Sequence, residues 1–399
     1  MFIYSYGGEK VIKTFKVKLI SNNKQQTRMF EFSGAKRFAY NWALARQQEN
    51  YEQDGKFIDD KELRKQFTLL KQQEEYSWLN NISNNVTKQA IKDCCKAYKN
   101  FFNHKAKHPK FKSKKKDTPS FYVGTDKIKF TDTHVKLEKL SLSTKKNKAK
   151  LNWVRLAEKG KIPTNCKYIN PHVVYDGIDW YICVGIEVDK ELNLISTKDG
   201  LGIDLGIKDL AICSDGNTYK NINKTSRIRK LEKKKRRLQR SISRKYEMNK
   251  RGVRYKKTSN IIKSEKELRK ICIRLSNMRN DHLHKTTTKI IKRKPSYIVL
   301  EDLNVRGMMK NKHLAKAVSE QKLYEFRRQI EYKADWNNIE VIFADRFYPS
   351  SKMCSRCGYV KKDLKLSDRV YICPKCGFVI DRDFNASLNL KNYYYQSTI

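Results

Sequence analysis

Two Cys-x-x-Cys pairs, Cys354–Cys357 and Cys373–Cys376, stand fifteen residues apart near the C-terminus. Pairs at this separation suit one tetrahedral zinc ion, each pair forming a knuckle that presents two thiolates. Gly358 and Gly377 follow the pairs directly and fit tight knuckle turns. Four thiolates fill the tetrahedron, so the expected zinc is structural and leaves no position for a catalytic water. Asp381-Arg382-Asp383-Phe384-Asn385 comes next in the chain, which sets carboxylates beside the expected metal site.

The chain has 399 residues, with 87 Lys and Arg against 42 Asp and Glu, a net charge of +45. Its length leaves room for about two or three domains with real cores. The charge implies a polyanionic partner, because an isolated fold would repel itself. Nucleic acid is the simplest one, since each neutralised phosphate releases counterions. A membrane is disfavoured: no run of eighteen apolar residues exists, and the basic helices lack a broad apolar face. Met1 to Leu19 shows no apolar core of a secretory signal, so a cytoplasmic, nucleoid-associated protein is expected. The six other cysteines are scattered, as buried thiols in a reducing compartment would be.

Thr14–Leu19 alternates, with Phe15, Val17 and Leu19 on one face and Lys16 and Lys18 on the other, and reads as a strand. A helix is predicted from about Ser33 as N-cap, carrying Phe38, Trp42 and Ala45. Further helices are expected over Asp60–Gln73 and Asn84–Asn103; the second aligns Val86, Ala90, Cys94 and Tyr98, a stripe suited to a core. A lysine-rich linker runs from His104 to Lys116, and Ser120–Val188 reads as strands, with a hairpin turning near Asp176-Gly177. After a linker around Ser196–Gly200, Leu201–Asp204 and Leu210–Ser214 form a strand pair, and Asp215-Gly216 turns into a third strand. Lys224–Lys257, with 17 Lys and Arg against two Glu, is predicted helical. Its charge is too one-sided for a merely solvated face, so it is assigned to nucleic acid. Helices over Ser264–Lys292, Val318–Trp336 and Asn385–Tyr395, and strands over Tyr297–Leu300 and Ile339–Phe343, complete the expectation. The His282-Leu283-His284 pair falls in a helix, where packing or an RNA contact suits it better than a metal.

Three acids stand where burial would be costly. Asp204 interrupts an apolar strand, Glu301 directly follows another, and Asp383 sits at the start of a predicted helix. A charge beside a buried strand needs a partner or a metal. Brought together, the three would bind Mg²⁺, a hard cation that takes oxygen ligands. Two such ions can activate water and stabilise a leaving 3′ oxygen in phosphodiester cleavage. Each acid alone also fits a structural role. Asp204 and Asp209 suit a hairpin turn, Glu301 and Asp302 suit a turn cap, and Asp383 suits a helix N-cap.

Gly202-Ile203-Asp204-Leu205-Gly206, Val299-Leu300-Glu301-Asp302-Leu303 and Asp381-Arg382-Asp383-Phe384-Asn385-Ala386 resemble the three RuvC motifs of TnpB, a family of transposon-encoded RNA-guided nucleases related to type V CRISPR effectors. The segment Arg346–Lys352 is similar as well, and so, less specifically, are Phe38-Ala39-Tyr40-Asn41-Trp42 and Lys112–Lys116. The departures are a run of about ten residues before the family's usual start near Ile12, and Ser387 where a second alanine is common. The resemblance implies Asp204, Glu301 and Asp383 as catalytic acids, with Asp383 chosen over Asp381 by the family's Asp-x-Asn pattern. It implies an α/β multidomain protein. A β-barrel wedge (1–30 and 111–195) would hold a helical recognition insert (31–110). A RuvC nuclease of RNase H type (196–350 and 381–399) would hold a zinc ribbon (351–380). It also implies a guide RNA from the transposon end and a double-stranded DNA target, with a monomer favoured. A basic channel for the guide–target duplex fits the charge independently.

Within this frame Arg229, Arg236, Arg237 and Lys352 are expected on phosphates. Tyr40, Asn41, Lys114, Lys115, Lys116 and Phe121 are expected at the short target-adjacent DNA motif, where Asn pairs with adenine and Lys donates to guanine or thymine. A core role for Tyr40, with the lysines on phosphate alone, is the competing reading. Two other functions stay open: a nuclease-inactive RNA-guided repressor, which the intact acids argue against, and a DNA-strand transposase, which lacks an evident Tyr beside a His-hydrophobe-His motif.

Overall fold

The computed structural model describes residues 10–142, 150–190, 199–365 and 367–397. The expected linker residues 196–198 lie outside them. The chain divides into two compact units, residues 1–189 and 190–399.

In the first unit, β1 (Lys10–Ile20) precedes three helices, α1 (Asn23–Asp54), α2 (Asp60–Leu70) and α3 (Asn84–Phe102). Six strands follow: β2 (Ser120–Tyr122), β3 (Lys129–Phe130), β4 (His134–Lys136), β5 (Trp153–Leu156), β6 (Tyr168–Tyr175) and β7 (Trp180–Asp189). The alternation read in β1 holds, for Val17 and Leu19 are buried and Lys16 is exposed. β1 pairs antiparallel with β7 from Lys10↔Asp189 to Leu19↔Trp180. The seven strands form one sheet in the order β2-β6-β7-β1-β5-β4-β3. Its end strands, three and two residues long, are not paired with each other among the described residues.

α1 is capped by Asn22, eleven residues before the predicted cap Ser33. Asn22 accepts from Gln25 N at 2.9 Å, and Gln25 Oε1 accepts from Asn22 N at 3.1 Å, a reciprocal capping box. The polar turn behind this box hid the start. Ser33, the predicted cap, is buried inside the helix. α3 buries Val86, Ala90, Cys94 and Tyr98 as the stripe required.

The second unit is built on a sheet ordered β10-β9-β8-β13-β14. Its strands are β8 (Leu201–Leu205), β9 (Asp209–Cys213), β10 (Thr218–Lys220), β13 (Tyr297–Glu301) and β14 (Glu340–Ala344). Between β10 and β13 lie α4 (Ser226–Met248), a two-stranded ribbon of β11 (Lys250–Arg251) and β12 (Arg254–Tyr255), and α5 (Ser259–Ile291). The predicted basic helix therefore stops at Met248, where Gly252, at φ 58°, turns the ribbon. α5 begins earlier than expected because Thr258 caps it, accepting from Ile261 N.

The predicted helix over Val318–Trp336 is two helices, α7 (Ala315–Gln321) and α8 (Leu323–Trp336), preceded by α6 (Val305–Lys310). Lys322 breaks it at φ 55°. Its ammonium is tethered to Ser276 Oγ and Asn280 Oδ1 on α5, at 3.2 and 2.6 Å, contacts that periodicity does not encode. β15 (Val370–Ile372), β16 (Val379–Asp381) and α9 (Arg382–Ser397) end the unit. α9 lies directly on β8. A Cβ on Gly202 would sit 2.1 Å from Ser387 O and 2.3 Å from Lys391 N, so only glycine permits this packing. Tyr394 stacks on Tyr297 with centroids 3.7 Å apart.

Lys333 is buried between α8 and α5. It donates to His284 O, Thr287 Oγ1 and Thr288 Oγ1 at 3.0, 2.7 and 2.8 Å, all neutral acceptors. Burial lowers its pKa from 10.5 to about 8. Between those values the unfolded chain binds more protons than the folded one, so this group adds stability as pH rises. Lys333→Met is expected to raise the melting temperature at pH 7 by several degrees, about 1 kcal/mol or more. That gain is expected to shrink towards pH 10. An equal gain at both pH values in thermal denaturation contradicts the assignment.

Candidate active site and metal centre

β8 and β13 run parallel, with Ile298↔Leu201, Val299↔Gly202 and Leu300↔Ile203 in register. The next residues along each strand are Asp204 and Glu301. Two carboxylates are thereby set side by side at the carboxyl ends of parallel strands, where α/β sheets form their ligand crevices. Asp383 comes from the first turn of α9, which Gly202 allows to approach. All three line one cleft of about 340 Å³.

Asp383 is not the cap of its helix. Asp381 Oδ1 accepts from Asp383 N and Phe384 N, each at 3.0 Å, and leaves the Asp383 carboxylate to face the cleft. Asp302 is likewise separated from Glu301 in role. It is held by Arg327 at 2.7 Å and Arg346 at 2.6 Å, whose hydrogen bonds keep its pKa below the usual carboxylate range.

Burial, then the charges of Glu301 and Asp383, push the Asp204 carboxyl well above its ordinary pKa, partly opposed by Arg382. Glu301 is raised by burial and by Asp383, against a hydrogen bond that Ser350 Oγ donates to its Oε1. Like charges gathered in this way are stabilised by a cation. Arg382 supplies one, with Nε 3.0 Å and Nη2 2.8 Å from Asp383 Oδ1, and Arg369 stands 3.9 Å from Asp383 Oδ2. The acids do not close into a tight cage. Among the described residues, only the four cysteines have all their ligand atoms within 4.8 Å of one another. Neither Ser350 nor Arg382 was singled out from sequence, although both lie in motifs that were.

The Cys354, Cys357, Cys373 and Cys376 sulfurs sit in two matching knuckles. Gly358 N donates to Cys354 O at 2.9 Å, and Gly377 N to Cys373 O at 3.0 Å. Both glycines have positive φ, 72° and 67°. The set fits one tetrahedral metal ion with no open position. This cluster is joined to the acid site through backbone. Asn385 Nδ2 donates to Met353 O at 2.6 Å, and its Oδ1 accepts from Ser355 N at 3.0 Å. One turn on, Asn389 Nδ2 donates to Ser350 O at 2.7 Å and Met353 O at 2.6 Å. The residues that hold Glu301 and open the first knuckle are thus stapled to the helix carrying Asp383.

The structure leaves the predicted phosphate residues in solvent. Arg229, Arg236 and Arg237 are exposed on α4 and Lys352 before the first knuckle; Lys114–Lys116, expected at the target-adjacent motif, are exposed on their loop. It revises the predicted base readers. Tyr40 and Phe121 are buried in the core, 5% and 1% exposed, because their helix and strand faces pack inward. Asn41 spends its amide on Lys112 O and N, at 2.9 and 2.8 Å. His282 Nε2 lies 3.0 Å from Lys220 O, tying α5 to β10 beside the buried Leu283, while His284 is exposed.

Three family descriptions match parts of the chain: "Probable transposase" over residues 181–312, "Cas12f1-like, TNB domain" over 324–390, and "Helix-turn-helix domain" over 11–56. The last segment is here a strand and one long helix. "Putative RNA-guided DNA endonuclease InsQ" of Escherichia coli K12 is 29% identical over 396 residues, covering 96% of this chain and 92% of that protein. A Streptomyces pristinaespiralis protein described as "Putative RNA-guided DNA endonuclease" is 29% identical, covering 96% and 89%. The protein in the "Cryo-EM structure of the Cas12f1-sgRNA-target DNA complex" matches in fold with a TM-score of 0.52 at 15% identity, over 96% of this chain and 99% of that one. The fold is therefore of the Cas12f1 class. In sequence the chain is similar to putative RNA-guided DNA endonucleases over nearly its whole length, as the resemblance to TnpB led one to expect.

Proposed function

We propose that this protein is an RNA-guided DNA endonuclease of a transposon, cutting target DNA beside a short adjacent motif by metal-dependent phosphodiester hydrolysis. The observation that carries the reading is the convergence of Asp204, Glu301 and Asp383 on one cleft, in a chain of net charge +45. Residues 196–350 and 381–399 act as the RuvC nuclease, 351–380 as a zinc ribbon, 1–30 and 111–195 as the wedge, and 31–110 as the recognition insert. The four thiolates hold zinc.

The acid cluster fits divalent magnesium, because burial and mutual repulsion raise Asp204 and Glu301 and a cation relieves both. Asp204, Glu301 and Asp383 would hold the metal, which when bound would supply an activated water and charge neutralisation at the leaving 3′ oxygen. Ser350 orients Glu301, Asp381 fixes the helix turn that aims Asp383, and Arg382 holds Asp383 in the cleft. The basic surface of α4 binds nucleic-acid backbone, and guide pairing reads the target.

RNA co-purifying with the protein is expected to be one abundant species ending in a variable segment. Replacing that segment is expected to redirect cleavage to the matching DNA. RNA of random sequence, or cleavage indifferent to it, rejects the guided reading.

A further inference from the structure

The first unit holds a polar pocket of about 150 Å³ whose lining is rich in cations. Lys36 and Arg37 enter it from α1, Lys112 from the segment after α3, and Thr118 and Ser120 from the approach to β2. Lys36 Nζ donates to Ser120 Oγ at 2.9 Å. Lys112 is fixed twice: Asn41 pins its backbone, and its ammonium sits 3.7 Å over the Tyr40 ring. This accounts for Tyr40 and Asn41, which shape a cation rather than read a base.

Lys36, Arg37 and Lys112 are all half-buried, yet among the described residues none lies within 4.0 Å of a carboxylate oxygen. Asp117 also lines the pocket, but its buried Oδ2 has no hydrogen-bond partner. Burial, then repulsion from Lys112, lowers the Lys36 pKa despite the fields of Asp93 and Asp117. Three cations are therefore held together, partly desolvated, with too little negative charge among them. A half-buried charge in this state is costly until an anion joins it. Ammonium, guanidinium and hydroxyl donors converging from separate segments suit a tetrahedral oxyanion.

We propose that this pocket seats one phosphate of a bound nucleic-acid backbone. The proposal rests on the nucleic-acid partnership inferred above. The exposed Lys114, Lys115 and Lys116 extend the positive track beyond it. A backbone phosphate and free inorganic phosphate share the chemistry, and the test separates them.

The test uses the full-length protein with Lys36→Gln, Lys112→Gln, the double variant and Lys36→Arg. Affinities for an RNA and for a duplex DNA of arbitrary sequence are measured across salt. Each single variant is expected to lower the slope of log affinity against log salt by about one on at least one nucleic acid. The nucleic acid affected identifies the occupant. The double variant is expected to lose about one unit as well, not two, because both lysines hold the same phosphate. Lys36→Arg is expected to keep the slope, which guards against misfolding as the cause. Unchanged slopes on both nucleic acids overturn the proposal, and so does inorganic phosphate raising the melting temperature of wild type alone while slopes stay fixed. A wild type that binds neither RNA nor DNA instead defeats the functional reading.

Discussion

Asp204→Asn is expected to abolish DNA cleavage, by about a thousandfold or more, while guide-RNA and target binding change little. The carboxylate stands at the end of β8 beside Glu301, and its proposed role is to hold a cation; on the same proposal, binding energy comes from base pairing and phosphate contacts elsewhere. The same substitution is expected to stabilise the magnesium-free protein. Asp204 is buried among like charges that raise its pKa. A carboxyl with a raised folded pKa loses stability as pH climbs through the unfolded value towards the folded one. The neutral amide avoids that loss at pH 7. A higher melting temperature in magnesium-free buffer, with no cut product in magnesium, is the paired result. Cleavage at the wild-type rate removes Asp204 from the active site.

Cys373→Ser is expected to lose the metal and most of the cleavage together. Metal analysis of the wild type is expected to give about one zinc per chain. The link is mechanical rather than chemical, since a four-thiolate site has no room for substrate. It runs from the first knuckle through Ser355 N and Met353 O to Asn385, two residues from Asp383. Asn385→Ala separates the two functions, with zinc content expected to stay at about one per chain. Cleavage is expected to fall at least about tenfold, as for a displaced catalytic group. Full activity in a preparation free of zinc refutes the coupling.

The parts of this architecture that were legible in the sequence are those where a local pattern meets a single face of burial. β1 alternates over a buried sheet face, and α3 lays Val86, Ala90, Cys94 and Tyr98 into a core. The cysteine pairs carry their own geometry in spacing and glycine. What stayed hidden depends on contacts distant in the chain or on local side-chain geometry that spacing does not encode. Lys322 breaks a periodic helix because α5 tethers its side chain. Asp381 takes the capping role expected of Asp383, a choice that only the turn geometry decides. Ser350 and Arg382 touch the acids through the fold, 49 residues from Glu301 in one case and beside Asp383 in the other. Tyr40 and Asn41 looked like recognition residues because aromatic and amide side chains suit bases. Both spend those properties inside the protein, on Lys112.

The placement of α9 against β8 bears on how the protein is made. Asp204 and Glu301 leave the ribosome well before the helix carrying Asp383, and Gly202 leaves room on β8 for that helix. A chain arrested before residue 382 therefore holds two of the three carboxylates and lacks the cover over Tyr297 and Val299, both buried in the finished fold. Such a chain leaves those side chains uncovered and the three-carboxylate cluster incomplete at the same time.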